Sequence, residues 1–469
     1  MYLRDFGRLK SLAVGDFQAQ FGQGLALWTG LAFGKSADVI NVKKNGLGLR
    51  QYTSVDQQNY MRGIGTTLKF DDFEVTGFFS SKRLNANILE LDTIEQEALV
   101  VSSIYGAGNH RTPRELEMKR ALGEMMTGGN VNYTFNNLTL GATAYYQEFD
   151  ASLERNLSFY NQFDFSAKSN YVYSLDYNYI FRNFNVFGEY ARSESGGHAF
   201  LSGLMMSLDQ RLSLSAVYRD IAPNFQSMYS AAFGENSRTH NEKGLYLGMQ
   251  ASFSRAWRIS AYADHFTFPW MKWRTYVPSK GYEYLVQVDH RPRRGVDMYL
   301  RYRIKNKPLN TRDYGMIREL DDVVKQNLRF HVSYRVTETI TLRNRLELID
   351  FNYGEEHQQG YLIYQDVIYR SLASPFAITV RYALFDTDGF DSRLYAYEND
   401  VLYAFSFPFY SDKGSRAYIL LRYRVTRSID FWIRYAQTFY TNRDVIGSSL
   451  EEIQGNTRSE IKAQIRYRF

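Results

Sequence analysis

Apolar and polar residues alternate with a period of two along most of this chain. In "LRFHVSYRV", Leu328, Phe330, Val332, Tyr334 and Val336 share one face, and Arg329, His331, Ser333 and Arg335 the other. "VDMYLRYRI" sets Val296, Met298, Leu300, Tyr302 and Ile304 against Asp297, Tyr299, Arg301 and Arg303. "ITLRNRLEL" sets Ile340, Leu342, Leu346 and Leu348 against Thr341, Arg343, Arg345 and Glu347. "AYILLRYRV" and "IDFWIRYAQ" repeat the scheme with Arg422, Arg424, Asp430 and Arg434 on the polar side, and the chain closes on "IKAQIRYRF" in the same alternation. Such a period describes extended strands with one face in an apolar medium and the other in a polar one.

The spacing of these segments suggests which medium is which. Very short turns (Asp71-Asp72, Asn136-Asn137, Arg182-Asn183, Asp209-Gln210, Thr337-Glu338, Thr426-Arg427) alternate with long polar stretches: Asp150 to Lys168, Ile221 to Lys243, Phe268 to Lys280, Lys305 to Val323, Phe351 to Gln359 and Thr438 to Gly455. Short periplasmic turns on one rim and long extracellular loops on the other are the arrangement of outer-membrane barrels, and a soluble sandwich has no reason to sort its loops in this way. The predicted fold is all-β: one large antiparallel transmembrane barrel of about 22 strands or more over residues 1–469, with one helical insertion, in the bacterial outer membrane. Within "RLYAYENDVLYAFSF", Arg393 to Phe407, a turn at Glu398 to Asp400 would give two strands and its absence one; the short-turn rule favours two.

Composition adds exclusions. Of 469 residues 44% are hydrophobic and 16% aromatic, yet no apolar run reaches the roughly 18 to 20 residues of a helical membrane span. There are 8 Pro and no Cys, so neither proline-rich linkers nor thiolate chemistry enter. A net charge of +6 is mild for this length and is weak support for a nucleic-acid partner. "MYLRDFGRLKSLAVGDF" lacks the charged, apolar and small-residue regions of a secretory signal. Tyr2 to Asp5 reads as the tail of a strand entering a turn at Phe6 to Leu9. The expectation is a sequence truncated at its N-terminus, with one or more strands upstream, since a barrel pairs every edge.

Two insertions are candidates for function. Residues 83–126 exceed an ordinary loop, and Thr112, Pro113, Arg114 and Glu115 have capping-box spacing with proline at the first helical position. A helix is expected from Pro113 to about Leu122. Its charged residues, with Lys119 and Arg120, suit a water-filled lumen or the rim, so the insertion is either a partial plug, together with Gly22 to Gly34, or an extracellular cap. The alternating arginines (Arg301, Arg303, Arg329, Arg335, Arg343, Arg345, Arg422, Arg424, Arg434) face the lumen on this reading, with Glu347 among the residues of opposite sign. On the lipid face each arginine would cost about 2–4 kcal/mol at mid-depth. They form either a salt-bridged ladder that holds the wall or a lumen preferring anions.

Catalytic and metal-binding patterns are poor. "GLAFGKS", Gly30 to Ser36, resembles a phosphate-binding loop, but Thr29 stands where its first glycine belongs and the stretch lies between strands. The seven histidines are scattered and no ligand spacing suggests a metal. No cofactor is expected and the protein is read as non-enzymatic. Tyr173, Tyr177, Trp257, Tyr262, Tyr282, Tyr284, Tyr369, Trp432 and Tyr467 fit interfacial aromatic girdles.

Three stretches, "GDFQAQFGQGLALWTGLAFGKS" (Gly15 to Ser36), "GNHRTPRELEMKRALGE" with "GGNVNY" (Gly108 to Tyr133), and "YAYENDVLYAF" (Tyr395 to Phe405), resemble the barrel of envelope proteins of the helix-hairpin-helix (ComEA-like) family, over the whole chain. That resemblance implies an outer-membrane barrel of surface or periplasmic role, preceded by a helical segment this sequence lacks, and contact with DNA. By resemblance to outer-membrane barrels at large, Tyr467 and the terminal Phe469 form the signal read by the barrel-assembly machinery. The partners expected are outer-membrane lipid, that machinery, envelope proteins and, through the family, nucleic acid. The functions that follow are solute passage or scaffolding of an envelope complex, DNA binding or uptake, and, last, a barrel hydrolase lacking an identifiable nucleophile.

Overall fold

The computed structural model describes the chain apart from residues 33, 55, 57, 92–97, 107, 313–318 and 469 and the side chain of residue 91. Its main sheet has 22 strands. In chain order these are β1 (Tyr2–Phe6), β2 (Leu9–Gln20), β3 (Gly48–Gln51), β4 (Met61–Phe70), β5 (Phe73–Leu84), β6 (Leu122–Phe135), β7 (Leu138–Phe149), β8 (Ser169–Phe181), β9 (Phe184–Ser193), β10 (His198–Asp209), β11 (Leu212–Ile221), β12 (Glu242–Ser252), β13 (Trp257–Phe268), β14 (Ser279–Arg293), β15 (Val296–Asn306), β16 (Val323–Arg335), β17 (Ile340–Tyr353), β18 (Glu356–Arg370), β19 (Phe376–Thr387), β20 (Lys413–Arg424), β21 (Ile429–Tyr440) and β22 (Thr457–Tyr467). The chain divides into two compact units: residues 1–250 with 262–282, and residues 251–261 with 283–312 and 319–468.

In the first unit β1, β2, β4 and β5 to β11 form a run of antiparallel neighbours, and β3 lies beyond β4 on the same edge of β2, opposite Phe17 to Gln20. In the second, β15 to β22 pair in the same serial fashion. Serial antiparallel pairing is what two-residue turns impose, because they return the chain directly beside itself. Asp71, Asn136 and Arg182 open such turns at φ 48°, 51° and 53°. Asn and Asp adopt this left-handed region at less cost than other non-glycine residues.

The two faces of the sheet invert the rule for water-soluble proteins. Along β19, Val380, Tyr382 and Leu384 are 39%, 55% and 43% exposed, while between them Arg381 is 3% and Ala383 0% exposed. The same parity exposes Leu328 and Phe330 on β16, Tyr361 and Ile363 on β18, Ile433 and Tyr435 on β21, and Leu140 and Tyr171 in the first unit. An apolar stripe repeated on strand after strand far exceeds what a monomer keeps in water, and it fits a wall set in hydrocarbon. No helix among the described residues is long and apolar enough to cross a membrane.

Four expectations are corrected. The segment Arg393 to Phe407 supplies neither one spanning strand nor two: only Leu394–Tyr395 pairs with Phe409–Tyr410, and Glu398 bridges Ser406. Its inward parity carries Glu398, whose partners lie on the wall, so the segment folds against the polar side. Phe351 to Gln359 is no long loop, because Tyr353 pairs with Glu356 and Gly354 turns the chain at φ 58°. Helix α1 covers Pro113–Glu117 only, since β6 draws the chain into the sheet at Leu122. The rest of that insertion is a hairpin, Ala86–Leu91 with Ala98–Ile104, extended by parallel pairing to Ser152–Leu153. Leu84, Ala86, Val101, Leu122, Phe149, Leu153 and Phe165 form a small core beneath it. Lastly, Trp432 (6% exposed) and Tyr262 (5%) are buried, not interfacial. Trp432 shares the parity of Asp430 and Arg434, and lies beneath the guanidinium groups of Arg422 and Arg466, each 5.4 Å from its ring.

Candidate functional site

On the polar side of each unit a length of chain lies against the wall. In the first unit it is the stretch between β2 and β3, where Phe21, Leu25, Ala26, Leu27, Val39 and Val42 are buried. Part of its backbone is satisfied by side chains of the wall. Glu189 of β9 accepts the N–H groups of Gln23 (2.6 Å), Leu25 (3.0 Å) and Ala26 (3.1 Å). Ser215 and Tyr246 donate to the carbonyl of Val39 at 2.6 and 3.2 Å. Gly22 makes this approach possible: it sits at φ 54°, and a Cβ there would lie 2.7 Å from Glu189 Oε2.

Charge fixes the same stretch further along. Lys35 Nζ is 2.7 Å from Glu235 and 2.8 Å from Asp264, and Asp264 also takes two hydrogen bonds, 2.8 and 3.0 Å, from the fully buried Arg219. The lysine of "GLAFGKS" therefore holds the segment to the wall. Beside it lies a cavity of about 380 Å³ lined by Lys43, Lys44, Asn132, Asp176 and Asn178 among others. Lys43 donates to Asn178 at 2.6 Å, while Lys44 Nζ lies 4.6 Å from the ring of Trp28. Burial lowers the Lys44 pKa to about 8, against the opposing pull of Glu189.

In the second unit the hairpin from Leu394 to Tyr410 plays the corresponding part. Leu394, Ala396 and Tyr410 pack on Ile349, Leu362, Tyr364, Ala383 and Phe385 of the wall. Glu398, fully buried, accepts from Arg416 (2.8 and 3.0 Å), from Tyr410 Oη (2.9 Å) and from Arg434. Burial alone would raise its pKa, but Arg416 and Arg434 hold it below the ordinary 4.5. Asp400 adds ion pairs with Lys462 (2.5 Å) and Arg434 (3.9 Å).

The arginines of the alternating strands differ in their surroundings. Arg329 makes two bonds to Glu347, 2.7 and 2.8 Å, and Arg345 is 3.9 Å from the same carboxylate. Arg303 pairs with Glu283 at 2.8 Å, and Arg301 donates to Gln287 at 2.7 Å. Arg422, Arg424, Arg466 and Arg468 gather at 2.8, 4.0, 2.5 and 3.2 Å around Asp430. Arg335 and Arg343 are exposed. The sequence reading missed Glu398 and Asp400 as partners of Arg434, because it assigned both to a turn. It missed Glu189 and Asp264 because their partners in the inserted stretch lie 163 to 229 residues away.

At the helical insertion, Glu115 N donates to Thr112 Oγ1 at 3.1 Å, and the Glu115 carboxylate accepts from the Arg111 guanidinium at 3.0 Å and from Arg111 N at 2.6 Å, which lower the carboxyl pKa to about 2. Arg114, Lys119 and Arg120 are exposed. Tyr467 is 64% exposed, and Phe469 lies outside the described residues. No cluster of three or more metal-ligating side chains occurs among the described residues.

An apolar outer face, a charged inner face and serial antiparallel pairing decide the class. The chain is an outer-membrane β-barrel. No family model matches it, and neither does any curated protein. The helix-hairpin-helix resemblance is therefore set aside, and the DNA-uptake reading with it. Similar solved structures are the siderophore receptor PirA from Acinetobacter baumannii (9% identity over 87% of this chain and 71% of that one, TM-score 0.46), the copper transporter OprC (8%, 100% and 81%, 0.47) and OccK8 (OprE) of Pseudomonas aeruginosa (10%, 70% and 89%, 0.36). Likenesses this distant carry no argument about cargo.

Proposed function

We propose that the protein passes small solutes across the outer membrane, without chemistry of its own, and that the two inserted segments restrict the path. The observation that carries this reading is where charge is spent. Buried ion pairs, Arg219 with Asp264 in the first unit and Arg381 with Asp366 (2.5 Å) and Arg434 with Glu398 in the second, lie on the polar side of each unit's own strands, where a chain segment is docked through polar contacts. A protein serving only as a scaffold has no need of a polar interior furnished in this way, since replacing buried ion pairs by apolar packing is often neutral or stabilising. The pairing of Arg329, Arg303 and Arg422 with carboxylates favours the salt-bridged ladder over a strongly anion-selective wall. The insertion at 83–126 is read as a cap, because its hairpin continues β5 and β6 over an apolar core of its own. The test is reconstitution of the full chain in planar bilayers: discrete conductance steps are expected, and a silent, correctly inserted protein would overturn the proposal.

A further inference from the structure

The hairpin of the second unit has a second face, turned away from the wall. Alternation along "RLYAYENDVLYAFSFPFY" sends Leu394, Ala396 and Glu398 to the wall and Tyr395, Tyr397, Phe405, Phe407 and Phe409 away from it. With Phe390 these make six aromatic side chains, each 37–58% exposed. Tyr395 and Phe407 are parallel to within 10° at 6.0 Å, Phe405 and Phe407 to within 11° at 6.2 Å, and Tyr397 follows at 5.6 Å from Phe405. Phe390 meets Phe409 edge-on at 5.6 Å and 82°. Lipid is not its occupant, because the opposite face of the hairpin is bonded to Arg416 and Arg434, on the side of the wall away from Val380, Tyr382 and Leu384.

At its Phe390 end the row is flanked by a hydrogen-bonding cluster in which arginines and carboxylates pair, with Lys325 Nζ 3.4 Å from the Asp391 carbonyl. Arg393 lies 4.0 Å over Phe390, donates to Tyr395 Oη at 2.8 Å and is 3.8 Å from Asp391, which also meets Arg312 at 3.0 Å. Arg312 in turn pairs with Glu356. A strip of exposed aromatic rings, bordered at one end by paired donors and acceptors, is complementary to a solute with apolar C–H faces and a rim of hydroxyls. We propose that this face binds an uncharged oligosaccharide, several sugar rings at once. The inference rests on reading the polar side of this unit as the solute path.

The probe is maltohexaose, applied to the full-length protein by titration calorimetry in detergent and by current recording in bilayers. Binding is expected, with block of any channel current. Phe405→Ala with Phe407→Ala should weaken it roughly tenfold, the loss of two ring contacts. Phe405→Tyr with Phe407→Tyr, which keeps the rings, should restore it and shows that the alanine loss is not misfolding. Conducting channels with neither heat nor block would overturn the saccharide site and leave solute passage standing. Silent channels whose heat of binding disappears in the alanine pair would support the site and remove the transport reading. Binding of a charged aromatic probe such as naphthalene sulfonate, with none of maltohexaose, would overturn it as well.

Discussion

Glu398→Gln is the most informative single substitution in the second unit. The carboxylate is fully buried and takes hydrogen bonds from Arg416, Arg434 and Tyr410, with Arg434 1% and Arg416 6% exposed. The amide keeps the shape and removes the charge, leaving two buried guanidinium groups under-compensated. Breaking such a pair costs about 3–5 kcal/mol. Arg416 retains Thr438 at 2.7 Å and Glu460 at 3.5 Å, and Arg434 retains Asp400 and Glu460 at 3.9 and 3.7 Å, so the lower end applies. About 3 kcal/mol corresponds to roughly a hundredfold shift in the docking equilibrium of the hairpin. The assay is limited proteolysis of the bilayer-inserted protein, with single-channel recording alongside. Faster cleavage between Tyr395 and Phe407 and noisier, larger current steps are expected. Cleavage and current equal to those of the unaltered protein would refute the reasoning, since the carboxylate would then not hold the hairpin.

Acid should act on the same contact. Because the folded pKa of Glu398 is depressed, its contribution is complete above the ordinary value of 4.5 and is lost as pH falls through the folded value, so acid-induced noise should begin below pH 4.5 and be absent in Glu398→Gln. Gly22→Ala should loosen the first inserted stretch, by about 1–3 kcal/mol for strain at φ 54° alone, read as faster hydrogen exchange at Gln23 to Ala26. Excising residues 24–43 behind a short linker should raise single-channel conductance; an unchanged value would show that the stretch does not restrict the path. Tyr382→Arg, on the lipid-facing parity of β19, should destabilise the inserted protein by about 2–4 kcal/mol in a denaturant titration in lipid vesicles, whereas an effect near zero would place that residue outside hydrocarbon.

The sequence carried the wall well and its furnishings poorly, for a physical reason. A strand such as β16 announces itself because Leu328 and Phe330 alternate with Arg329 and His331, and only two unlike media make both tolerable. The hairpin at 394–410 shows the same alternation, and its exposed Tyr395, Tyr397, Phe405 and Phe407 are the residue types of a lipid-facing stripe. What separates it is the parity of Glu398, which needed Arg416 and Arg434 in view. Trp432 was misplaced for the opposite reason: residue type suggested an interface, while its parity with Asp430 and Arg434 already set it inward. The docking of residues 21–46 rests on single long-range contacts, Lys35 to Asp264 and Ser215 to Val39, that no local period records.

The direction in which the two faces of each strand look underlies the whole account. These 469 residues include no cysteine, so single cysteines along Val323 to Arg335 report cleanly. In bilayers, positions 328, 330 and 332 should resist a water-soluble maleimide and, once labelled in detergent, be quenched by lipid-borne nitroxide, while 327, 329, 331 and 333 should label and escape quenching. Lipid quenching on the Arg329 parity, or labelling with no period of two, would contradict it.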